Sequence, residues 1–262
     1  MEQINRLQEH IAGLAEGGLC VAFSGGVDSA LVLKIAAVTG QNVHAVYINN
    51  HLSPAGDSTA AQKMAAEFGV PFTVLDMDLS ADREIMDNPP DRCYRCKKKL
   101  FIAVCDYAKV HTLKTVADGT NADDLTAYRP GRKALAELGV QSPLAELGIT
   151  KQKVRMYAER LDISAAHRPA ASCLLTRFSY NTKVNENMLK QVEQCEALLH
   201  QAGYPNCRVR LHGAVARIEI QKEQFADFLK EQALIEKIKQ QGIGYITLDL
   251  EGLRSGSMDE GL

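Results

Sequence analysis

Phe23-Ser24-Gly25-Gly26-Val27-Asp28-Ser29-Ala30 is the stretch whose reading settles the fold class. Before it, Leu19 to Phe23 is a short apolar run that reads as a buried strand; after it, Leu31 to Val38 reads as a helix. A strand, a glycine-rich turn and a helix in that order gather backbone N–H groups and a helix N-terminus around one point, which suits a phosphate chain. Gly25 and Gly26 permit positive φ and let a ligand approach with no Cβ in the way, while Ser24 and Ser29 add hydroxyl donors. Asp28 is the odd member of the group. A carboxylate beside phosphates repels them unless a cation or a polar hydrogen is shared, so Asp28 is assigned either to Mg²⁺ or to orienting the loop.

The spacing is neither that of a Walker A loop nor Gly-x-Gly-x-x-Gly. It resembles the Ser-Gly-Gly-x-Asp-Ser loop of the PP-loop ATP pyrophosphatases. The resemblance implies cleavage of ATP between the α and β phosphates, adenylylation of a carboxyl or carbonyl oxygen, and release of AMP when a nucleophile attacks.

With 262 residues the chain suits one large domain, or one plus a smaller one. Its 46% hydrophobic and 24% charged residues and its net charge of −2 are those of an ordinary globular protein and argue against a general nucleic-acid binder. No apolar run approaches the roughly 18 residues of a spanning helix, and the first sixteen residues carry charges where a signal peptide has an apolar core. A cytoplasmic location is expected. Seven cysteines, an odd number in a reducing compartment, do not read as a disulfide framework.

Taken in order, Ile4, Leu7, Ile11 and Leu14 at helical spacing predict an amphipathic helix over residues 1–16. Residues 42–50 and 71–77 predict two more buried strands, separated by a helix capped by Ser53-Pro54 and running to about Phe68. Tyr47, Ile48 and Asn49 fall at the carboxyl end of the first of these, where they would flank a nucleotide base. A fourth strand, 112–117, runs into Asp118-Gly119-Thr120-Asn121-Ala122-Asp123-Asp124 at the same edge of the sheet. There Gly119, Thr120 and Asn121 are candidate nucleotide contacts and the two aspartates candidate metal ligands; the same residues also make a good turn and helix cap. Tyr128-Arg129-Pro130-Gly131 is read as a turn with an exposed cation, Ser142-Pro143-Leu144 as the end of a fifth strand, and Thr150 to Leu161 as a capped helix. The alternation predicts an α/β fold with a doubly wound parallel sheet.

Between the third strand and the next helix lies Asn88-Pro89-Pro90-Asp91-Arg92-Cys93-Tyr94-Arg95-Cys96-Lys97. Two prolines and Asp91 start a helix that places Cys93 and Cys96 on one face in its first turn, a position that favours thiolates, as do the neighbouring cations. Half of a zinc site, a redox dithiol, part of an iron–sulfur site and two ordinary thiols are all compatible with this spacing. Residues 168–180 follow neither strand nor helix period and read as an irregular segment around Cys173 and Arg177, with a small core residue as the other reading of Cys173.

A domain boundary is expected near Tyr180, separating residues 1–180 from a smaller α+β domain, 181–262. Val184, Met188, Val192, Cys195 and Leu199 form one helical stripe; Phe225, Phe228, Leu229, Ile235 and Ile238 form another. Between them, Cys207, Val209 and Leu211 alternate with Arg208, Arg210 and His212, and after a turn at Gly213 the alternation resumes through Glu219. This hairpin has an apolar face and a face bearing Arg208, Arg210, Arg217 and Glu219, either solvated or suited to phosphate or carboxylate. Residues 243–250 predict a third strand.

Assembled, these motifs resemble the LarE family of ATP-dependent sulfur transferases over nearly the whole chain. The likeness lies in the Ser24–Ser29 loop, Pro90 to Lys97, Asp118 to Asp124 with Tyr128 to Gly131, Ser142 to Glu146, Ser172 to Tyr180 and Gly252 to Met258. The resemblance implies ATP and Mg²⁺ at Ser24, Gly25, Gly26, Asp28, Ser29, Ile48, Gly119, Thr120 and Asn121. It further implies adenylylation of a carboxylate of pyridinium-3,5-biscarboxylic acid mononucleotide and displacement of AMP by sulfur, in a homo-oligomer. Family members with three cysteines are thought to hold a [4Fe–4S] cluster, and Cys93, Cys96 and Cys173 match them. Cys20, Cys105, Cys195 and Cys207 read as packing. Tyr94, Arg177, Arg208, Arg210 and Glu219 are implied as substrate contacts. After Cys173 the chain departs from the commonest family pattern, with Leu174-Leu175-Thr176 and Ser179-Tyr180-Asn181 in place of smaller residues and a glycine turn. The competing functions are a cluster-dependent tRNA thiolase and an amide-forming ligase similar to NAD synthetase.

Overall fold

The computed structural model describes residues 2–53, 57–126, 129–166, 172–254 and 256–257. Pro54, Tyr128, residues 168–171, Ser255 and Met258, all invoked above, lie outside them. In chain order the elements are α1 (Glu2–Leu14), β1 (Leu19–Ala22), α2 (Val27–Thr39), β2 (Val43–Asn49), α3 (Asp57–Glu67) and β3 (Phe72–Asp76). There follow α4 (Arg83–Met86), α5 (Arg92–Val110), β4 (Thr115–Ala117), α6 (Gly131–Glu137), α7 (Pro143–Glu146) and α8 (Lys151–Arg160). The last part holds α9 (Glu186–Gln201), β5 (Arg208–His212), β6 (Val215–Glu219), α10 (Phe225–Phe228), α11 (Gln232–Lys239) and β7 (Tyr245–Leu248). Among the described residues no helix is long and apolar enough to cross a membrane.

The chain forms two compact units, Met1–His51, Ala55–Leu79 and Asp91–Ala171 in the first, Leu52–Pro54, Ser80–Pro90 and Ser172–Leu262 in the second. The first holds a parallel sheet in the order β3-β2-β1-β4. Leu19 stands opposite Val43 on one side and Thr115 on the other, so β1 is central and its loop leaves from the middle of the carboxyl edge. Phe23 N–H extends the pairing to Val46 O at 2.8 Å, just before the glycines. Helix α2 is buried almost all round, with Ala30, Leu31, Val32 and Leu33 inaccessible. That is why its sequence is uniformly apolar rather than amphipathic. The amphipathic α1 adds Leu7 and Ile11 to the same core, and α8 starts at Thr150, whose hydroxyl caps Lys153 N–H.

One strand assignment is corrected. Gln141 makes an isolated parallel bridge to Ala117, and residues 143–146 are the helix α7 rather than the end of a strand. Pro143 explains it: with no N–H and a fixed φ it cannot continue a ladder, but it suits the first helical position.

The second unit carries the sheet β5-β6-β7, in which β5 and β6 are antiparallel and β7 runs parallel to β6. It begins at Ser172 and takes in residues 80–90 from before α5, so the division is not the single cut near Tyr180 read from the sequence. Hydrogen bonds account for this. Asn88, inaccessible to solvent, donates its side-chain amide to Phe178 O (3.2 Å) and Ser179 O (2.9 Å). Its carbonyl accepts from Asn181 N, and Met86 O accepts from Val184 N, both at 2.8 Å. The stripe from Phe225 to Ile238 is also not one helix. It breaks after Phe228, where Lys230 N and Glu231 N close i→i+3 turns, and Leu229 is left 61% exposed.

Leu33→Ala should cost about 2–5 kcal/mol, because the cavity would open inside the inaccessible core around α2. A chemical-denaturation midpoint equal to that of the parent protein would show that this core repacks freely.

Candidate active site

At the carboxyl end of β1, Gly26 is the N-cap of α2 in an extended conformation, and no side chain caps the helix. The first-turn N–H groups therefore face the loop without an internal acceptor, which is the electrostatic condition for holding an anion. Gly25 has φ +74°, a left-handed conformation that favours glycine. The loop is tied internally by its hydroxyls: Ser29 Oγ donates to Gly26 O (3.1 Å), lies 3.2 Å from Ser24 Oγ, and accepts from Ser24 N (3.3 Å).

Gly119 is needed for a different reason. A Cβ there would lie 2.6 Å from Ser29 N and 2.9 Å from Ser29 Cα, so only glycine lets the loop after β4 rest on the first turn of α2. That seating brings Asn121 Nδ2 to Asp28 Oδ1 at 3.0 Å, and Asp28 Oδ2 is paired with the Lys151 ammonium at the start of α8. Asp28 thus has both carboxylate oxygens engaged within the protein. Asn121 also caps the 3₁₀ turn Ala122–Leu125, in a reciprocal pair with Asp124. Thr120 hydrogen-bonds through both its N–H and its hydroxyl to Asp118, which also accepts from Ser142 Oγ at 2.7 Å. Asp118 is only 4% exposed, and Lys97 Nζ of α5 is 3.6 Å from it. Arg129, expected as an exposed cation, pairs with Asp124 at 3.2 Å.

Ile48 sits near the carboxyl end of β2, beside Leu75 of β3. One residue on, Asn49 Nδ2 donates to Asp76 Oδ1 (2.8 Å), which also holds His51 Nε2 (2.7 Å).

Cys93 and Cys96 occupy the first turn of α5 as the spacing predicts, Cys93 exposed and Cys96 half-buried. Asp91 does not cap the helix; its carboxylate takes Arg95 Nε at 2.8 Å instead. Gly131, at the start of α6, packs against this turn: a Cβ there would lie 3.0 Å from Lys97 Cδ and 3.3 Å from Cys93 O. Tyr94 points its hydroxyl to Glu137 (2.9 Å), and Lys98 Nζ reaches both partners at 3.0 and 2.7 Å. Hydrogen bonds to Glu137 and Tyr94 push the Lys98 ammonium well above its ordinary range. The same ammonium, with Tyr94, draws the Glu137 carboxyl below its own.

In the second unit Cys173 precedes a 3₁₀ turn, Leu174–Arg177, and is half-buried. Arg177, implied as a substrate contact, is 1% exposed and spends its donors inside the protein. Its Nε and Nη2 form a two-pronged pair with Glu196 at 2.8 and 2.9 Å. Arg210 and Glu219 are likewise buried, paired at 2.6 and 2.9 Å, with Arg217 Nη2 (3.1 Å) and Ser257 Oγ (2.9 Å) also on Glu219. The charged face of the hairpin is therefore an internal network. Arg208 donates to Cys207 O at 2.6 Å, and burial, then the nearby Arg177, hold its guanidinium below the usual range.

The cysteines separate by environment. Burial pushes the Cys20, Cys195 and Cys207 thiols up to about 12 and raises that of Cys105, which disfavours their thiolate forms. Within neither unit do three metal-ligating side chains converge among the described residues.

Lys151, Glu137 and Glu196 were not singled out from the sequence, and Asp118 and Lys97 only as members of longer motifs. Only Glu196 left a signal, a carboxylate on the apolar stripe of α9 between Val192, Cys195 and Leu199.

A parallel sheet with a Ser-Gly-Gly-x-Asp-Ser turn on its central strand defines the PP-loop class of nucleotide-binding enzymes. Consistently, the family described as queuosine biosynthesis protein QueC matches residues 19–88. The chain is 37% identical over 245 residues to the pyridinium-3,5-bisthiocarboxylic acid mononucleotide synthase of Lactiplantibacillus plantarum, a match covering 92% of this chain and 89% of that protein. It is also 37% identical over 244 residues to an uncharacterized protein of Synechocystis, covering 91% of each. The tRNA-specific 2-thiouridylase MnmA of Frankia alni is 29% identical over 184 residues, 56% of this chain and 52% of that one. The chain belongs to the LarE family of ATP-dependent sulfur transferases.

Gly119→Ala should weaken ATP binding about tenfold or more, since the added methyl must displace backbone at the head of α2. Lys151→Met should weaken it by a similar factor by releasing Asp28. Isothermal titration with ATP measures both; unchanged affinity in the glycine variant would mean the seating is not needed for the cradle.

Proposed function

We propose that this enzyme uses ATP to adenylylate a carboxylate of pyridinium-3,5-biscarboxylic acid mononucleotide and then replaces the activated oxygen with sulfur. The substrate's carboxylate oxygen attacks the α-phosphorus, the bond to the bridging oxygen breaks, and pyrophosphate leaves. A sulfur nucleophile then attacks the acyl carbon and AMP leaves with the substrate's oxygen, giving the thiocarboxylate. The observation that carries this reading is a glycine–serine anion cradle on a chain that aligns over 92% of its length with a synthase of the bisthiocarboxylic mononucleotide.

In this reading the loop N–H groups and Ser24 and Ser29 hold the phosphates, and Asp28, fixed by Asn121 and Lys151, keeps the loop in shape. Mg²⁺ enters as the counter-charge of the triphosphate. Cys93, Cys96 and Cys173 are assigned to a [4Fe–4S] cluster. They fit one as a donor set: three soft sulfur ligands, none deeply buried, unlike Cys20, Cys195 and Cys207. A cluster held by three thiolates supplies an iron with an open position where inorganic sulfide can reside. Arg208 and Tyr94 are kept as candidate substrate contacts. A cytoplasmic, homo-oligomeric enzyme belongs to the same reading through its family. The tRNA thiolase alternative is supported over a smaller share of the chain, 56%.

The test is anaerobic turnover with ATP, the biscarboxylic mononucleotide and sulfide, with AMP, pyrophosphate and thiocarboxylate measured together. Cys93→Ala, Cys96→Ala and Cys173→Ala should each abolish sulfur transfer and leave ATP binding intact; multiple turnovers by any one of them would remove the cluster assignment. Asp28→Ala should lose pyrophosphate release. AMP formation with ammonia and no need for sulfide would overturn the proposal in favour of a ligase.

A further inference from the structure

Arg177 and Arg210 were implied as substrate contacts, yet both guanidinium groups are aimed at one short piece of backbone. Arg177 Nη1 donates to Ser172 O (3.2 Å), Ser172 Oγ (2.6 Å), Cys173 O (3.3 Å) and Thr176 Oγ1 (2.8 Å). Cys173 O also accepts from Thr176 N at 3.0 Å and Thr176 Oγ1 at 2.7 Å, so three donors converge on the carbonyl of the cysteine itself. From the other side Arg210 Nη1 donates to Thr176 O at 2.5 Å. The remaining nitrogens of each arginine are taken up by a buried carboxylate, Glu196 for Arg177 and Glu219 for Arg210. Glu196 accepts in addition from Val209 N–H (2.9 Å) and so ties the cysteine turn to β5.

Burying two such pairs is not a route to stability. Desolvation of both charges cancels much of their attraction, and well-packed apolar replacements are often neutral or stabilising. What a planar, five-donor guanidinium does supply is fixed geometry for whatever backbone it holds.

We propose that the Arg177–Glu196 pair is a positioning device that holds the Cys173 turn in one conformation, presenting its sulfur for the chemistry, with Arg210 bracing the same turn at Thr176 O. The inference rests on the assignment of Cys173 to sulfur transfer. It takes Arg177, which is 1% exposed, out of the substrate-binding set. The arginines act through the peptide groups of Ser172, Cys173 and Thr176, so a loosened clamp alters the cysteine without altering nucleotide affinity.

The experiment compares the reduced, metal-free full-length protein with two variants, Glu196→Gln and the double apolar replacement Arg177→Met with Glu196→Leu. Alkylation of Cys173 by iodoacetamide in this form, followed by peptide mass spectrometry, reads the order of the turn; ATP titration and thermal unfolding are run alongside, and sulfur transfer is measured on the same proteins after anaerobic reconstitution with iron and sulfide. The double variant should unfold within a few degrees of the parent, bind ATP unchanged, alkylate Cys173 at least fivefold faster and transfer sulfur about 100-fold more slowly. Glu196→Gln should move the same way but less. The proposal is overturned if either variant folds with Cys173 alkylation at the parental rate, or if neither folds, which would make the pairs structural. It is also overturned if the loss appears only in KM for the carboxylate substrate, the mark of a lost substrate contact. A Cys173→Ala protein that still transfers sulfur would sink the functional assignment instead, so the two failures are told apart.

Discussion

The nucleotide end of this protein depends on one close approach, the seating of Gly119 on the first turn of α2. Because no Cβ intervenes, the loop after β4 lies against Ser29, and the amide of Asn121 and the ammonium of Lys151 meet across Asp28. A negative side chain in the first turn of a helix is thereby paired inside the protein. Asp118, one residue before the glycine, extends the arrangement. It binds Thr120 and Ser142 and draws in Lys97 from the helix that carries Cys93 and Cys96.

The second unit solves a different problem with similar means. It has a small sheet whose apolar face is covered and whose other face carries charge, and the charge is turned inward. Glu196 and Glu219 are each buried, and each receives an arginine through two parallel hydrogen bonds. The cost lies in desolvation, and it is accepted beside the one cysteine of this unit that is not deeply buried.

The same contrast sorts the thiols. Cys20, Cys195 and Cys207 are buried, which raises their thiol pKa; Cys93 and Cys96 lie at the start of a helix, and Cys173 precedes a 3₁₀ turn.

The chain by itself determined the parallel sheet, the Ser24–Ser29 cradle, the first-turn placement of Cys93 and Cys96, and the three-stranded second sheet. Each of these is written in local periodicity, in glycine and proline punctuation, or in a motif only a few residues long. Pro143, read as the end of a strand, shows the limit of that writing, since its consequence depends on which element follows. The partners of the charged groups were decided by the tertiary structure alone. Asn121 and Lys151 reach Asp28 from 93 and 123 residues away, and Asn88 reaches Phe178 from 90. Alternation along β5 and β6 showed that Arg210 and Glu219 share a face, but not that both are buried there. Burial depends on what packs above a surface, and that is a property of distant segments meeting in space, for which neighbouring residues carry no record.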